Sequence, residues 1–386
     1  MPVDPIALAQ ALIRRPSVTP ADEGALAVVE GGLRPLGFSI ERMRFEDGAS
    51  APVENLFARW GDGGRRFCFA GHTDVVPPGP ESDWTVPPFS GALKDGFIWG
   101  RGAADMKGAI AAFVAAAERV IVSGAARGHS VSLLITGDEE GPAINGTRKM
   151  LACLAEREEA IDACVVGEPS SVERLGDTIK IGRRGSMNCR LTVTGKQGHV
   201  AYPDRAANPA HAIAAMISAL TAPLDAGFDQ FQPSSLQVTD LEIGNQAHNV
   251  IPAAARARFN VRFNPNWSGP TLEQCVRERL GKAAAAFGVR YEIDIVVSGE
   301  AFLTRDEAFL ALIDEAITAR CGAPPEHSTT GGTSDARFIK DFAPVAELGL
   351  INRTIHQVDE RVSTGDILQL ADIYAEILTR FFRSGA

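Results

Sequence analysis

Short apolar runs that alternate with a helical pattern limit the possible folds of this chain more than any other feature. The runs are RRFCFAGH at 65–72, HSVSLLITG at 129–137 and IDACVVGEP at 161–169. The alanine-rich stretch KGAIAAFVAAAERVI, at 107–121, lies between the first two and has helical composition. Strands that alternate with helices along a chain form a sheet with helices packed on its faces. We therefore expect an α/β domain.

The pattern changes between about 181 and 294, where polar and apolar residues alternate along the strands. RGSMNCRLTVTG at 184–195 and AAARARFNVRF at 253–263 are typical of strands with one exposed face. With the helical stretches between them, the elements follow the order βαββαβ of a compact, ferredoxin-like unit. The first pattern resumes afterwards. We therefore expect a larger domain formed by 1–180 and 295–386, with residues 181–294 inserted into it.

Charge and cysteine content narrow the class of protein. Lys and Arg number 38 against 48 Asp and Glu, and the net charge of −10 disfavours nucleic acid as a partner. No apolar run approaches the roughly 20 residues of a membrane span, and the N-terminal sequence is not typical of a signal peptide. The six cysteines form no CxxC pair, which favours free thiols in a reducing compartment. We expect a cytoplasmic protein with no membrane partner. The negative net charge remains compatible with a small anionic substrate.

Acidic and histidine side chains follow the ends of the three apolar runs. His72 is the last residue of the first run and Asp74 follows it, Glu139 and Glu140 follow the second run, and Glu168 lies at the end of the third. The carboxyl ends of parallel strands share one edge of a sheet, and open α/β sheets bind their ligands there. If the three strands are parallel neighbours, these side chains converge on one place.

Two further residues of the same chemistry lie outside the runs. Asp105, in GRGAADMKG, precedes the alanine-rich stretch, and His356, in LINRTIHQVDE, follows the inserted segment. Each candidate by itself has an ordinary structural interpretation, such as a helix cap for Asp105 or a solvated turn for Glu139 and Glu140. Together, such groups repel one another and are costly to bury unpaired. A bound cation would remove that repulsion.

The set of donor atoms favours transition metals. Carboxylates mixed with imidazoles, without a thiolate, suit zinc, cobalt or manganese better than calcium or magnesium. Two histidines and three carboxylates are too many for one tetrahedral ion and suit two ions about 3.5–4 Å apart that share a carboxylate. Glu139 is then the spare carboxylate, in the position of a general base. Asp74 is placed to accept the other imidazole N–H of His72 and to fix the orientation of that ring.

Four motifs resemble those of a known family. HTDVVPPG, GRGAADMKG, TGDEEGPAINGT and GEPS are similar to the metal-binding motifs of the co-catalytic dizinc amidohydrolases, which include aminoacylases, acetylornithine deacetylase and glutamate-releasing carboxypeptidases. The resemblance covers nearly the whole chain. It implies a mixed-sheet zinc-hydrolase catalytic domain with an inserted lid and dimerisation domain, and hence a homodimer. It also implies two Zn²⁺ per subunit, with Co²⁺ able to occupy one site.

The resemblance assigns each matched residue to one of the two ions. His72 and Glu168 would hold one zinc, Glu140 and His356 would hold the other, and Asp105 would bridge them.

The resemblance also implies three catalytic roles. Glu139 would be the general acid/base for a hydroxide that bridges the two ions, and Asp74 would orient the neighbouring His72. His199, in QGHVAYP, would reach the active site of the partner subunit and stabilise the oxyanion. Spacing alone does not identify His199 as an oxyanion donor.

Substrate contacts are implied for eight residues. These are Arg183, Ser186, Tyr202, Asn249, Arg262, Gly332, Thr333 and Arg337. The arginines suit a substrate with several carboxylates, because guanidinium groups bind carboxylates through paired hydrogen bonds. The GGTS turn offers free main-chain N–H groups, which can form an anion-binding nest.

Within the family, four further motifs indicate the substrate. IGRRGS, GKQGHVAYPDRAANP, HNVIP and STTGGTSDARF are most similar to those of members that hydrolyse the succinyl amide of N-succinyl-LL-2,6-diaminopimelate, a step of lysine and diaminopimelate biosynthesis. Three alternatives remain open. They are an N-acetylornithine deacetylase or other N-acyl-amino-acid hydrolase, a catalytically inactive binding protein on the same fold, and an acidic calcium-binding protein, which the histidines disfavour.

Overall fold

The computed structural model describes residues 2–48 and 50–383, and these residues form two compact units. The first unit contains the described residues up to Ile181, Thr304–Ser328 and the described residues from Ser334 onward, and the second contains Gly182–Leu303 and Thr329–Thr333.

The second unit ends beyond residue 294, where the sequence analysis places the end of the insertion. Its last long strand continues to Gly299, and a short strand at Phe302–Leu303 pairs with Gly182–Arg183. Backbone pairing therefore extends the second unit to Leu303.

Helices and strands alternate along the chain. The helices of the described residues are α1 (Pro5–Ile13), α2 (Ala25–Leu33), α3 (Gly108–Val122), α4 (Thr147–Glu156), α5 (Pro209–Leu220), α6 (Gly269–Ala285), α7 (Glu307–Cys321), α8 (Ala336–Ile339) and α9 (Thr364–Arg383). The strands of the first unit are β1 (Ser39–Asp47), β2 (Ser50–Trp60), β3 (Arg66–His72), β4 (Ala92–Lys94), β5 (Phe97–Trp99), β6 (Ser130–Thr136), β7 (Ala163–Val166), β8 (Thr178–Lys180), β17 (Glu326–Ser328), β18 (Val345–Glu347) and β19 (Arg361–Ser363). Those of the second unit are β9 (Gly182–Arg183), β10 (Gly185–Thr194), β11 (Gly198–His199), β12 (Ser235–Glu242), β13 (Val250–Ile251), β14 (Ala254–Phe263), β15 (Arg290–Gly299) and β16 (Phe302–Leu303).

Local sequence determines where several helices begin. The side chains of Asp4, Asn208 and Asp306 accept hydrogen bonds from main-chain N–H groups in the first turns of α1, α5 and α7. Each satisfies a donor that the start of a helix leaves without a partner. Pro5 and Pro209 follow directly, in positions where proline forfeits no helical hydrogen bond.

An eight-stranded mixed sheet forms the centre of the first unit. Its strand order is β1-β2-β6-β3-β7-β18-β8-β17. Strand β3 pairs in parallel with β6 on one side and with β7 on the other, whereas β1, β2 and β6 are joined by antiparallel pairs. The predicted α/β class with a mixed sheet is confirmed.

The central strands are buried along almost their whole length, because helices cover the sheet. Every residue of β6 and β7 is buried, which is typical of parallel strands in α/β proteins. Phe113 of α3 stacks on Phe69 of β3 with ring centroids 4.3 Å apart, and Tyr374 of α9 contacts both rings. This aromatic cluster holds α3 and α9 against the strands that end at the site described below.

The second unit is a four-stranded antiparallel sheet with two helices. The strand order is β12-β14-β10-β15, and along the chain the elements follow β10-α5-β12-β14-α6-β15. This is the predicted βαββαβ order. Apolar residues of α5 and α6, among them Ile213, Met216 and Leu272, pack against Leu191 and Phe259 of the sheet.

Neither membrane-spanning helices nor disulfides occur among the described residues. None of the helices within 2–48 and 50–383 has the length and apolar character needed to cross a membrane. All six cysteines belong to this part of the chain, and each is a free thiol.

Candidate metal centre

Three neighbouring strands bring the predicted ligands to one edge of the sheet. In the parallel ladders, His72 of β3 lies opposite Thr136 of β6, and Ala70 lies opposite Val166 of β7. The three strands therefore end together. Glu139 and Glu140 follow β6 within four residues, and Glu168 follows β7 within two. Because of this register, residues from three motifs that are separate in the sequence lie together in one cluster.

Asp105 reaches the same edge from an irregular turn, Ala103–Lys107, that precedes α3. The side chain of the next residue, Met106, packs against Gly71 at the end of β3 and Gly167 after β7. A Cβ atom at either glycine would clash with the Met106 methyl group. These two glycines permit the close approach that seats Asp105 between the ends of the strands.

Asp105 contacts one histidine with each of its carboxylate oxygens. Its Oδ1 lies 3.1 Å from Nε2 of His72, and its Oδ2 lies 3.4 Å from Nε2 of His356. On the His72 side, Nε2 also lies 3.5 Å from Oε1 of Glu168. On the His356 side, Nε2 lies 2.9 Å from Oε1 of Glu140. The cluster is therefore two half-sites, each with one histidine and one glutamate, that share one aspartate.

The donor set fits metal cations. Donor atoms of His72, Asp105 and Glu140 all lie within 4.8 Å of one another, as do those of His72, Glu139 and Glu168. Oε1 of Glu168 is buried and has no hydrogen-bond partner among the described residues. Oxygen and imidazole donors without a thiolate are typical ligands of zinc and related ions. A cation would supply the partner that Glu168 lacks and offset the repulsion among the carboxylates.

Burial raises the pKa values of the carboxyl groups at the edges of the cluster. Desolvation, followed by the charge of Asp105, raises the pKa of Glu168 to about 7. Desolvation, followed by the charge of Glu168, raises the pKa of Glu139 well above its ordinary value. A carboxylate with a raised pKa accepts a proton readily near neutral pH, which is what a general base requires.

The two histidines hold protons in the chain without bound cations. Hydrogen bonds to Asp105 and then Glu140 raise the pKa of His356 to about 10. Burial lowers the pKa of His72, but the neighbouring carboxylates of Asp105 and Glu168 outweigh that effect, and the net shift of the pKa is upward. Burial raises the pKa of Asp105, but the hydrogen bonds from both histidines outweigh this effect, so the net shift of its pKa is downward. Metal binding must displace these protons.

Asp74 orients His72 with a different atom from the one that the sequence analysis predicts. Nδ1 of His72 lies 2.9 Å from the main-chain oxygen of Asp74, but 3.6 Å from its carboxylate. The carboxylate instead accepts hydrogen bonds from the main-chain N–H groups of Glu139, at 3.3 Å, and Glu140, at 3.0 Å. The carboxylate of Asp74 therefore holds the turn that carries the proposed base.

The residues predicted to contact substrate lie in both units. Arg337 belongs to the first unit, and the second contains Arg183, Ser186, Tyr202, Asn249, Arg262, Gly332 and Thr333.

Arg337 is a nearly buried cation. Its guanidinium lies over the ring of Phe338 and 3.9 Å from Oδ1 of Asp335, and its Nε has no hydrogen-bond partner among residues 2–48 and 50–383. Its side chain is 9% exposed. A buried guanidinium with an unused donor is suited to binding an anion.

Two other arginines lie beside polar groups of the second unit. Arg262 faces Ser186 across strands β14 and β10, and burial followed by the charge of Arg184 lowers the pKa of Arg262. Arg183 donates a hydrogen bond to the main-chain oxygen of Thr330, at 3.0 Å, in the segment that continues to Gly332 and Thr333.

His199, Tyr202 and Asn249 form an exposed cluster on the second unit. His199 pairs with Val250 in the small β11-β13 ladder, and Val200 N donates to the main-chain oxygen of Asn249 at 3.1 Å. The rings of His199 and Tyr202 are 5.9 Å apart. The structure thus brings these three residues together, and their roles stay predictions.

The sequence analysis does not predict the burial of several charged residues near the cluster. Arg101, Lys107, Glu347 and Glu360 are each at most 2% exposed. Arg101 and Lys107 lie in the quoted motif around Asp105, and Glu360 is the last residue of LINRTIHQVDE. Their charge alone predicts exposed positions, so the sequence carries no local signal of their burial.

A comparison with known families agrees with this geometry. Residues 68–380 match the profile of peptidase family M20/M25/M40. The chain belongs to peptidase family M20/M25/M40. The family resemblance stated in the sequence analysis is therefore confirmed. Membership and the donor cluster together support a metal cofactor.

Curated relatives in this family match the chain over its full length. A protein of Parvibaculum lavamentivorans named succinyl-diaminopimelate desuccinylase is 56% identical over 386 residues, covering 100% of this chain and 97% of the relative. A protein of Maricaulis maris with the same name is 54% identical and covers 98% of this chain and 96% of the relative. Among solved structures, an M20 family metallo-carboxypeptidase from Sulfolobus solfataricus superimposes with a TM-score of 0.79 at 18% identity, covering 98% of this chain and 99% of that one. This likeness supports the fold.

Proposed function

We propose that this chain is an amidohydrolase that cleaves N-succinyl-LL-2,6-diaminopimelate into succinate and LL-2,6-diaminopimelate. The observation that carries the proposal is the carboxylate of Asp105, shared between a His72–Glu168 half-site and a Glu140–His356 half-site, with Glu139 beside them. The full-length relatives at 56% and 54% identity, both named succinyl-diaminopimelate desuccinylase, support this substrate.

Five residues are proposed to hold two divalent cations. His72 and Glu168 would bind one ion, Glu140 and His356 would bind the other, and Asp105 would contact both. Zinc fits these ligands, and cobalt could replace it at one site. When bound, the ions supply polarisation of the substrate carbonyl and lower the pKa of the attacking water.

Glu139 is proposed to move the proton. Its carboxylate takes a proton from the attacking water while the water oxygen forms a bond to the amide carbon. As the carbon–nitrogen bond breaks, Glu139 donates that proton to the leaving amine. Burial and the charge of Glu168 raise the pKa of Glu139, which favours the form of this side chain that holds the proton. Asp74 supports the transfer by holding the main chain of Glu139.

The proposed substrate carries three carboxylates, and arginines are the proposed partners. Arg337 has an unused donor in a nearly buried guanidinium. Arg183 and Arg262 provide further positive charge on the second unit. The other proposed contacts are Ser186, Tyr202, Asn249, Gly332 and Thr333. An acetyl group needs no cation at its far end, so arginine recognition favours a succinyl substrate over an acetyl one.

A cytoplasmic homodimer is the proposed state of the protein. The six free cysteines are compatible with a reducing compartment. His199 is proposed to stabilise the oxyanion in the active site of the partner subunit, and this role rests on the family resemblance. Light scattering coupled to gel filtration tests the assembly, and a monomer at micromolar concentration contradicts it.

A substrate panel with metal analysis on the same purified sample tests the function. We expect two equivalents of zinc or cobalt per chain and a higher kcat/KM for N-succinyl-LL-2,6-diaminopimelate than for N-acetylornithine. Faster turnover of the acetyl substrate would indicate a deacetylase. Two bound ions without hydrolysis of either substrate would indicate a binding protein, and calcium as the sole metal would overturn the proposed centre.

A further inference from the structure

The carboxylate of Glu360 is fully buried and accepts four hydrogen bonds. Its Oε2 accepts from Nη1 of Arg101 at 2.7 Å and from the main-chain N–H of Gly102 at 3.0 Å. Its Oε1 accepts from the main-chain N–H of Ala104 at 2.9 Å and from that of Asp105 at 3.2 Å. Glu360 is 0% exposed. All four donors belong to the loop that carries Asp105, the aspartate shared by both half-sites.

The same contacts attach this loop to the loop of His356. Glu360 is four residues beyond His356, and its main-chain oxygen accepts a hydrogen bond from Gly100 N at 2.9 Å. Nη1 of Arg101 also donates to the main-chain oxygen of Gln357, at 3.1 Å. Two buried, oppositely charged side chains therefore join the 100–105 loop to the 356–360 loop.

The two half-sites depend on these contacts to different extents. His72 is the last residue of β3 and Glu168 follows β7, and the ladders of the central sheet fix the positions of both strands. His356 lies on a loop, and its distance from Asp105 is set by whatever joins the two loops. The Glu360 carboxylate joins them through the main chain of Asp105 itself.

We propose that Glu360 is a positioning residue that sets the separation of Asp105 and His356, and so the affinity of the Glu140–His356 half-site for its cation. This inference rests on the metal centre of the proposed function. Residues that orient metal ligands typically change metal affinity by about 10–100-fold when they are replaced. Replacement of Glu360 should therefore weaken one ion selectively and not both.

The substitution Glu360→Gln is the direct test, because it keeps the shape of the side chain. The amide oxygen can still accept from Ala104 and Asp105, whereas the amide NH₂ faces the donors of Arg101 and Gly102. The metal-free protein is titrated with Co²⁺ by calorimetry and by the visible absorption of the bound ion. We expect the wild type to bind two ions. We expect Glu360→Gln to bind the first within about threefold of the wild type and the second at least about tenfold more weakly.

A matched control separates positioning from general loss of stability. Asp225, in the second unit, also organises a loop, with its carboxylate accepting from Gly227 N at 2.8 Å, Asn264 Nδ2 at 2.7 Å and Trp267 Nε1 at 2.9 Å. Asp225→Asn should lower the Tm and leave both cobalt affinities unchanged. Selective loss of the second ion in Asp225→Asn as well would overturn the inference, because the effect would then be unspecific.

The outcomes distinguish this inference from the proposed function. Two ions bound by Glu360→Gln with wild-type affinities would overturn the role of Glu360 and leave the metal centre intact. A wild type that binds no cobalt would instead overturn the metal centre. If Glu360→Gln does not fold, Arg101→Lys carries the test, since it keeps the carboxylate but loses the contact with Gln357. A several-fold weaker second ion in Arg101→Lys supports the inference, and unchanged affinity contradicts it.

Discussion

Nδ1 of His72 lies 2.9 Å from the main-chain carbonyl oxygen of Asp74. A carbonyl oxygen only accepts, so Nδ1 carries a proton, and Nε2 offers its lone pair to a cation once its own proton has been displaced. That nitrogen faces Asp105 and Glu168. The carboxylate of Asp74 is thereby free for the main-chain N–H groups of Glu139 and Glu140. One residue orients a proposed ligand with its backbone and the proposed base with its side chain.

Replacing Asp74 by Ala should therefore affect proton transfer more than metal binding. The carbonyl contact with His72 survives, whereas the N–H groups of Glu139 and Glu140 lose their acceptor. We expect kcat to fall about 10²-fold, because the base is misplaced, and the unfolding free energy to fall by about 1–3 kcal/mol for each unpaired N–H group. Steady-state kinetics with metal analysis checks this.

Asp177 provides a matched control for that substitution. Its carboxylate also accepts main-chain hydrogen bonds, from Val172, Glu173 and Arg174 at 2.8–2.9 Å. Asp177→Ala should lose comparable stability and keep its kcat. If Asp74→Ala keeps wild-type kcat, or loses its metal in proportion to its activity, the separation of the two roles of Asp74 is wrong.

Four of the candidate site residues were predictable from the sequence, because they lie at or just beyond the ends of apolar runs. Each of these side chains lies at the end of a buried strand or within a few residues of it: His72, Glu139, Glu140 and Glu168. Parallel strands end at the same edge of a sheet, so these side chains were expected to meet there. Asp105 carried no such local signal. Its seat depends on Met106 packing against two glycines, a contact between distant segments that spacing does not reveal.

The contacts of Asp74 and Glu360 could not be predicted for a related reason. Spacing placed Asp74 near His72, but it does not distinguish a side-chain oxygen from a main-chain one. Glu360 is charged, which predicts exposure, and its partner Ala104 lies 256 residues away along the chain. Its burial follows from tertiary structure alone.

Glu139→Gln should abolish proton transfer without emptying the proposed metal centre. Glutamine keeps the size of the side chain but cannot take a proton from water at neutral pH. We expect kcat to fall by about 10²–10⁴-fold, the usual contribution of general acid–base catalysis, with metal content unchanged. Retention of wild-type kcat would exclude Glu139 as the base. Loss of one ion would indicate that Glu139 is a ligand, as its proximity to His72 and Glu168 allows.

Metal affinity should rise with pH. The pKa of His356 is raised to about 10 and that of Glu168 to about 7 in the chain without cations, so both groups carry protons that a cation displaces near neutrality. Each displaced proton makes the association constant rise about tenfold per pH unit below the pKa of its group. Calorimetry in buffers of different ionisation enthalpy counts the protons released. The His356→Ala variant should release fewer protons when it binds a cation. A metal affinity that is constant between pH 6 and 8 would contradict the prediction.

The metal-free protein should lose stability as the pH rises from about 4.5 to 7. Burial raises the folded-state pKa of Glu168 to about 7, above its ordinary value of 4.5. A raised pKa contributes stability that is fully present below the unfolded-state pKa and is lost as the pH rises through the folded-state value. Urea unfolding in excess chelator at pH 5 and pH 7.5 measures the loss. Glu168→Gln should show a smaller difference between the two pH values, and an equal difference would contradict this account.

Arg337→Lys should impair substrate recognition more than chemistry. The guanidinium is nearly buried and its Nε has no hydrogen-bond partner within the described part of the chain, which suits paired hydrogen bonds to a substrate carboxylate. Lysine keeps the charge but not the fork. We expect kcat/KM for the succinyl substrate to fall about 10–100-fold, a loss of about 1.4–2.7 kcal/mol, chiefly through KM. Arg353→Lys is the control, because Arg353 forms an exposed ion pair with Glu173. This substitution should leave kcat and KM unchanged. A wild-type KM for Arg337→Lys would show that the substrate carboxylates bind elsewhere.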